Sequence, residues 1–186
     1  VLQVGHQERF VFAAMGLLNA AERPTSAEAV REGPPSGRGL DTSVTMDLMI
    51  HDLDLVRLLF SGEVSDIRAS RLAGEPGLAD TMQADLTFAS GARVRLKASR
   101  VAEARNRTMT LTYPSGTVHI DFVARTFENG SGLSLRADFA DAVPDPLGAA
   151  VASFIAACRG EAACPVPGVE AAEAVVLAEA IDRAAG

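Results

Sequence analysis

The sequence predicts an α+β fold, in which an open and mostly antiparallel β-sheet has helices packed on one face. Two observations support this prediction. The middle third holds five runs of alternating apolar and polar residues, and helical patterns precede and follow these runs. Short turn signals such as Ser90-Gly91 separate the runs, and strands joined by short turns pair antiparallel. Helices on one side only leave the other sheet face free, and such a face often pairs with a second copy.

The first third is expected to hold two strands and two helices around a loop rich in glycine and proline. That loop, from Glu32 to Gly39, cannot continue regular structure. It leads into a long helix that ends at Ser61-Gly62. In chain order the predicted elements are a strand, a short apolar helix, a strand and the long helix, at Leu2 to Phe10, Val11 to Ala21, Ser26 to Glu32 and Ser43 to Phe60.

The remaining two thirds predict a sheet followed by a pair of helices. The strands are placed at Val64 to Leu72, Thr81 to Ala89, Ala92 to Val101, Arg107 to Tyr113 and Thr117 to Phe122. Asp145-Pro146 is a favourable helix start, because Asp caps the amino end and proline suits the first turn. We therefore expect one helix from Pro146 to Cys158 and a last helix from Val169 to Ala184.

Composition limits the class of protein. A chain of 186 residues with 48% hydrophobic residues suits one folded domain. Its net charge of −7 argues against nonspecific binding to nucleic acid or anionic membrane. No apolar stretch approaches the roughly 20 residues that span a bilayer. The two cysteines are expected to be reduced thiols of a cytoplasmic protein. Because the chain opens with Val1, we expect it to be a piece of a longer protein.

The segment from Met46 to Leu55 carries the most distinctive pattern. Asp47, His51 and Asp54 have a spacing that places them within roughly 60° on one helix face, whereas Asp52 points away. Histidine exchanges protons near neutral pH, and a neighbouring carboxylate orients it. This face is therefore a candidate active site. A solvated helix face gives the same pattern, and so does a metal site of imidazole and carboxylate ligands.

Three segments taken together extend this interpretation. They are Val4-Gly-His-Gln-Glu-Arg-Phe10, Gly37-Arg-Gly-Leu-Asp41 and Asp47-Leu-Met-Ile-His51-Asp-Leu-Asp54. In this order, and followed by the sheet, they resemble the C-terminal domain of the glucose–fructose oxidoreductase / inositol dehydrogenase (Gfo/Idh/MocA) family of NAD(P)-dependent enzymes. Within that family the similarity is to members acting on UDP-N-acetyl sugars, and it extends from Val1 to the last helix.

The resemblance implies that residues 1–186 are the substrate-binding and oligomerisation domain of a dehydrogenase for a sugar or nucleotide sugar. NAD or NADP would be bound mainly by an N-terminal Rossmann domain. Asp47 would position the sugar, and His51 would exchange the proton of the reacting hydroxyl. Asp54 is a further candidate at the substrate, or a support for His51, and His6 is a candidate contact to the cofactor. Subunits would pair through the sheet face into a homodimer or tetramer.

Arg9, Arg31 and Arg38 flank the Asp/His helix in sequence and are candidates to meet a substrate diphosphate, since guanidinium matches phosphate geometry. The glycine-rich phosphate loop of the family's cofactor domain is absent from these residues, and so is its Glu-Lys-Pro segment. We therefore expect this chain alone to be inactive. Two alternatives remain, a non-catalytic binding and dimerisation module and a metal-dependent hydrolase using the same helix face.

Overall fold

The computed structural model describes all 186 residues and contains one seven-stranded open sheet. The strands are β1 (Ser26–Glu32), β2 (Val64–Glu75), β3 (Leu78–Phe88), β4 (Arg93–Ser99), β5 (Asn106–Tyr113), β6 (Gly116–Asp121) and β7 (Thr126–Asn129). Their order across the sheet is β2-β3-β4-β1-β5-β6-β7. Every neighbouring pair is antiparallel except β1 and β4, which are parallel. The predicted α+β fold is confirmed.

Five α-helices accompany the sheet, and none is long and apolar enough to cross a bilayer. They are α1 (Glu8–Met15), α2 (Ile50–Leu59), α3 (Phe139–Ala142), α4 (Pro146–Cys158) and α5 (Gly168–Ala185). A π-helical turn at Thr45–Met49 leads into α2. The predicted long helix and the two C-terminal helices are confirmed to within two residues at each end.

The strand predicted at Leu2 to Phe10 is wrong. Only Gln3 takes part in a β-bridge, an isolated one with Pro167, and the chain is already helical at Glu8. Helix α1 ends at Met15 because Gly16 takes the left-handed conformation, with φ of 88°. Leu2 and Val4 are too few alternating apolar positions to specify a strand, whereas α1 buries Phe12 and Met15 completely in the core.

The position of β1 could not be read from local sequence. It lies between β4 and β5, so the sheet is not a simple meander of consecutive strands. The short edge strand β7 was not predicted, since four residues carry too little alternation to be recognised. The other strands agree with the predicted runs to within three residues at each end.

The two faces of the sheet differ. On the face towards the helices, the side chains of Val94, Leu96 and Ala98 are buried. On the opposite face Arg95 and Lys97 reach neighbouring strands, where they form ion pairs with Asp85 at 2.7 Å and with Glu32 at 2.8 Å. The helices therefore enclose one face, and the polar outer face is not covered by any element of this chain.

Candidate active site

The Asp47–His51 segment begins at a well-anchored helix start. The Ser43 hydroxyl accepts a hydrogen bond from the Met46 N–H at 3.2 Å and donates one to Asp182 of α5 at 2.6 Å. The following turn is π-helical and includes Asp47. Because a π-turn is wider than an α-helical one, Asp47 does not keep the angular relation to His51 that an ideal α-helix would give it.

His51 has a carboxylate neighbour that the helical spacing did not predict. Its Nδ1 lies 3.3 Å from Oε2 of Glu8, the first residue of α1, and neither atom has another hydrogen-bond partner. The imidazole is 28% exposed, so one side remains open to solvent. A proton on Nδ1 directed at Glu8 leaves Nε2 free for a substrate. The one sequence signal for Glu8 was its place in the Gly-His-Gln-Glu-Arg-Phe segment.

Glu8 is in turn held by a buried arginine. Its Oε1 accepts a hydrogen bond from Arg31 of β1 at 2.8 Å, and Arg31 donates two more to Asp52 at 2.9 and 2.8 Å. Burial alone would raise the pKa of the Glu8 carboxyl. The His51 and Arg31 side chains outweigh that effect and hold the pKa well below its usual range. Glu8 is therefore a fixed anion beside His51.

Arg9 and Asp54, both expected near the substrate, are paired with each other instead. Two hydrogen bonds of 2.7 Å join the Arg9 guanidinium to the Asp54 carboxylate, and both side chains are buried. Arg9 also binds Glu170 of α5 at 2.9 Å. This pair fastens α1 to α2 and α5, so we do not carry either residue into the proposed substrate site. Helical spacing places Asp54 on the face of His51 but cannot show that α1 covers it.

His6, expected to contact a cofactor, lies in the interior. It is 4% exposed, with its ring edge-to-face with His51 at a centroid distance of 5.5 Å. Its Nε2 is 3.9 Å from Asp54. Burial lowers the pKa of His6, and the nearby Asp54 only partly offsets this effect. We therefore do not retain His6 as a cofactor contact, because its ring packs behind His51 and away from the surface.

Asp47 lies at a separate, polar cavity of about 180 Å³. The loop from Gly33 to Ser36 and the side chains of Arg105 and Arg107 line the same cavity. Gly39 packs against Asp47 so closely that a Cβ there would be 2.7 Å from Oδ2, and its φ of 65° also favours glycine. This close approach explains the glycine before the Asp/His helix.

The other predicted arginines divide between interior and surface. Arg31 borders the Asp47 cavity, but it is buried and its guanidinium is paired with Glu8 and Asp52, whereas Arg38 is exposed in the loop beside Gly39. Arg105 and Arg107, which were not singled out from the sequence, line the Asp47 cavity. His51 does not line this cavity, and it does not line a second one of about 190 Å³ that contains Glu8 and Arg107.

No three His, Cys, Asp or Glu side chains converge in a way that could hold a metal ion. Cys158 and Cys164 are both free thiols. The chain also forms no dinucleotide-binding unit, since its one parallel strand pair, β1 and β4, has α2 and two further strands between its members in sequence. These residues therefore do not fit a nicotinamide cofactor by themselves.

Comparison with known proteins identifies the family. Residues 23–120, more than half of the chain, match the sequence model of the GFO/IDH/MocA C-terminal domain. The chain belongs to this family, as the three sequence segments and the fold had indicated.

Similar proteins are dehydrogenases. A UDP-N-acetylglucosamine 3-dehydrogenase of Acidithiobacillus ferrooxidans is 38% identical over 137 residues, which are 71% of this chain and 44% of that protein. A solved structure of GnnA, a UDP-N-acetylglucosamine 3-dehydrogenase from the same organism, has a TM-score of 0.83 and 31% identity. The match covers 100% of this chain and 61% of that one. This chain thus spans about half of the relatives it matches.

A more distant structure has the same fold. The WlbA dehydrogenase from Bordetella pertussis, solved in complex with NADH and UDP-GlcNAcA, is similar with a TM-score of 0.75 and 16% identity. That match covers 97% of this chain and 59% of WlbA.

Proposed function

We propose that this chain is the substrate-binding domain of an NAD(P)-dependent dehydrogenase that oxidises a hydroxyl of a sugar or nucleotide sugar. The observation that carries the proposal is His51, which is 28% exposed and has the buried anion Glu8 on its inner side. Family membership and the similarity to UDP-N-acetylglucosamine 3-dehydrogenases support the substrate class.

His51 would act as the general acid–base of the reaction. Its Nε2 would take the proton from the hydroxyl group as the carbon bearing that hydroxyl loses hydride. In the reverse reaction it would return the proton. Glu8 would keep the imidazole oriented and stabilise its positive charge when it is protonated, as a buried carboxylate does for a catalytic histidine. Asp47 would accept hydrogen bonds from sugar hydroxyls and so orient the substrate.

The hydride acceptor, NAD or NADP, would be bound by a Rossmann domain outside these residues and would supply the redox chemistry. The apolar side chains of Leu147, Val151, Phe154 and Ile155, exposed along α4, support contact with further protein. The two free thiols are consistent with a reducing, cytoplasmic location.

Turnover by the whole enzyme with a panel of UDP-sugars tests the catalytic roles. We expect His51→Ala or Asp47→Ala to lower kcat about a hundredfold or more, the usual effect of losing an acid–base or positioning group. In the pH profile of kcat, the ionisation assigned to His51 should disappear in His51→Ala. Asp141→Ala, an exposed acid on α3, is the matched control and should leave kcat unchanged.

Near-normal kcat in both variants would rule out the assigned roles. If the whole protein with intact His51 and Asp47 turns over no sugar or nucleotide sugar with either cofactor, the binding-module alternative replaces the dehydrogenase.

We also infer that two copies meet through the uncovered outer face of the sheet. That face carries charged and hydroxyl side chains on neighbouring strands. Ion pairs between strands, Arg95 with Asp85 and Lys97 with Glu32, neutralise part of its charge. Light scattering at micromolar concentration should give the mass of a dimer or a multiple of it. A strictly monomeric mass would contradict this inference.

A further inference from the structure

Arg107 is half-buried and forms no ion pair, unlike the buried Arg9, Arg31 and Arg100. In the β1–β5 register it is directly opposite Arg31, so two cations are cross-strand neighbours on the face towards the helices. Like charges in this position repel. Arg31 is compensated by Glu8 and Asp52, whereas Arg107 makes no ion pair and its Nε is buried without a hydrogen-bond partner. Leaving a buried donor unpaired is unfavourable.

Arg105 adds a second uncompensated guanidinium to the same place. It lies in the loop between β4 and β5, is exposed and makes no ion pair, and it lines the Asp47 cavity together with Arg107. Burial, followed by the charges of Arg31 and Arg105, lowers the pKa of Arg107. The carboxylates of Glu8 and Asp52 offset this effect only in part.

The other charges at the cavity are already engaged. Arg100 binds Asp80 at 2.6 Å and the carbonyl groups of Gly39 and Thr42, which fastens the loop over Asp47. Glu32 is held by Lys97. Two guanidinium groups and the Asp47 carboxylate thus remain free to meet a ligand.

We propose that Arg105 and Arg107 bind the diphosphate of a nucleotide-sugar substrate whose sugar lies against Asp47. The inference rests on the proposed function and narrows its substrate, a sugar or nucleotide sugar, to a nucleoside-diphosphate sugar. Two planar guanidinium groups match the several oxygens of a diphosphate. A single carboxylate beside them suits the hydroxyl groups of the attached sugar. An anion between the arginines would also satisfy the buried Nε of Arg107.

A diphosphate is present both in a nucleotide sugar and in a dinucleotide cofactor. The cavity includes Asp47 and the loop that covers it, and no dinucleotide-binding unit lies beside it in this chain. This position favours the substrate as the source of the diphosphate.

Calorimetric titration of the whole protein with UDP, and separately with NAD⁺, tests the inference. We expect UDP to bind, and Arg105→Gln and Arg107→Gln each to weaken its binding about tenfold or more, the scale of a lost charge-assisted hydrogen bond. NAD⁺ affinity should not change. Arg159→Gln, which removes an exposed arginine with no ion pair at the end of α4, is the matched control and should bind UDP normally.

Several outcomes would overturn the inference. They are no UDP binding by the unmodified protein, an equal loss in Arg159→Gln, or unchanged UDP binding in both cavity variants. A loss of NAD⁺ affinity instead of UDP affinity would assign the site to the cofactor and would equally overturn it. Arg107→Lys keeps the charge, so partial retention of UDP binding there excludes a general failure to fold.

This test is separate from that of the catalytic roles. UDP lacks the sugar attached to the diphosphate, which is the part of the substrate that would lie against Asp47 and His51 in the proposed arrangement. His51→Ala should therefore bind UDP normally while losing turnover. Normal turnover in His51→Ala would count against the proposed function alone, and normal UDP binding in the arginine variants would count against this inference alone.

Discussion

Arg31 and Arg107 are neighbours on adjacent strands, yet their surroundings are opposite. Arg31 is only 2% exposed and donates three hydrogen bonds to the carboxylates of Glu8 and Asp52. Arg107, directly across from it, has a buried Nε without a partner. A buried charge that is paired with opposite charges has a structural role, because removing one partner leaves the others unpaired. A buried polar group without a partner is typical of a site that a ligand completes.

The difference also separates two kinds of region in this molecule. The network of Glu8, Arg31 and Asp52 joins α1, β1 and α2 and so places His51. The Asp47 cavity with Arg105 and Arg107 has charges left over. One region fixes geometry, and the other offers binding groups.

Replacing the two opposing arginines one at a time should have very different effects on stability. Arg31→Met leaves two buried carboxylates unpaired, and we expect the free energy of unfolding at pH 7 to fall by about 3–5 kcal/mol. Arg107→Met removes a cation that forms no ion pair, so the free energy of unfolding should change little or rise. Urea unfolding followed by circular dichroism measures both.

Asp85→Asn provides the control for that experiment. It removes one partner of the exposed Arg95 ion pair on the outer sheet face, and pairs in water contribute little. The denaturation midpoint should stay where it is. Equal losses of unfolding free energy in Arg31→Met and Arg107→Met would contradict a structural role that Arg31 has and Arg107 lacks.

A smaller, pH-dependent effect is expected from Glu8. At pH 7 Glu8→Gln should lower the free energy of unfolding by about 1.5–3 kcal/mol, the range for a hydrogen bond to a charged group. The pKa of Glu8 is lower in the folded protein than in the unfolded chain, so the unfolded state binds the proton more readily. The contribution of Glu8 is then complete above its unfolded pKa of about 4.3 and is lost as pH falls below it.

The difference in stability between the unmodified protein and Glu8→Gln should therefore narrow in acid. Urea unfolding at a series of pH values from neutral to below about 4 gives this difference directly. Asp141→Asn, at an exposed acid, should show no such trend. A constant difference across the series would mean that Glu8 is not the depressed carboxylate beside His51.

Much of the fold was predictable because it depends on local pattern. Alternation predicted the strands from β1 to β6, and caps and breakers predicted α4 and α5. The strand predicted at Leu2 to Phe10 was wrong because this irregular segment, bridged to Pro167 at Gln3, has a short alternating pattern like that of a strand. The placement of β1 between β4 and β5 depends on pairing between distant residues, on which local periodicity is silent.

The candidate site was predictable in part for the same reason. Helical spacing identified Asp47 and His51 but also suggested Asp54, which α1 covers through Arg9. Glu8 could not be chosen as the partner of His51 from spacing, because the two lie in different helices, α1 and α2. Arg105 in a loop and Arg107 in a strand carry no local signal of a site. Only the pairing of β1 with β5 places Arg107 opposite Arg31.

The fold class, most of the elements, the family and the Asp47–His51 segment can all be recognised in the amino-acid sequence. All of these follow from periodicity, capping and short motifs, which act over a few residues. Which charged side chains pair with one another, and which remain available to a ligand, depends on the tertiary structure. Arg9 meets Asp54 across 45 positions and Arg31 meets Asp52 across 21. Electrostatic pairing depends on distance in space and on burial, and neither is written in the order of residues along the chain.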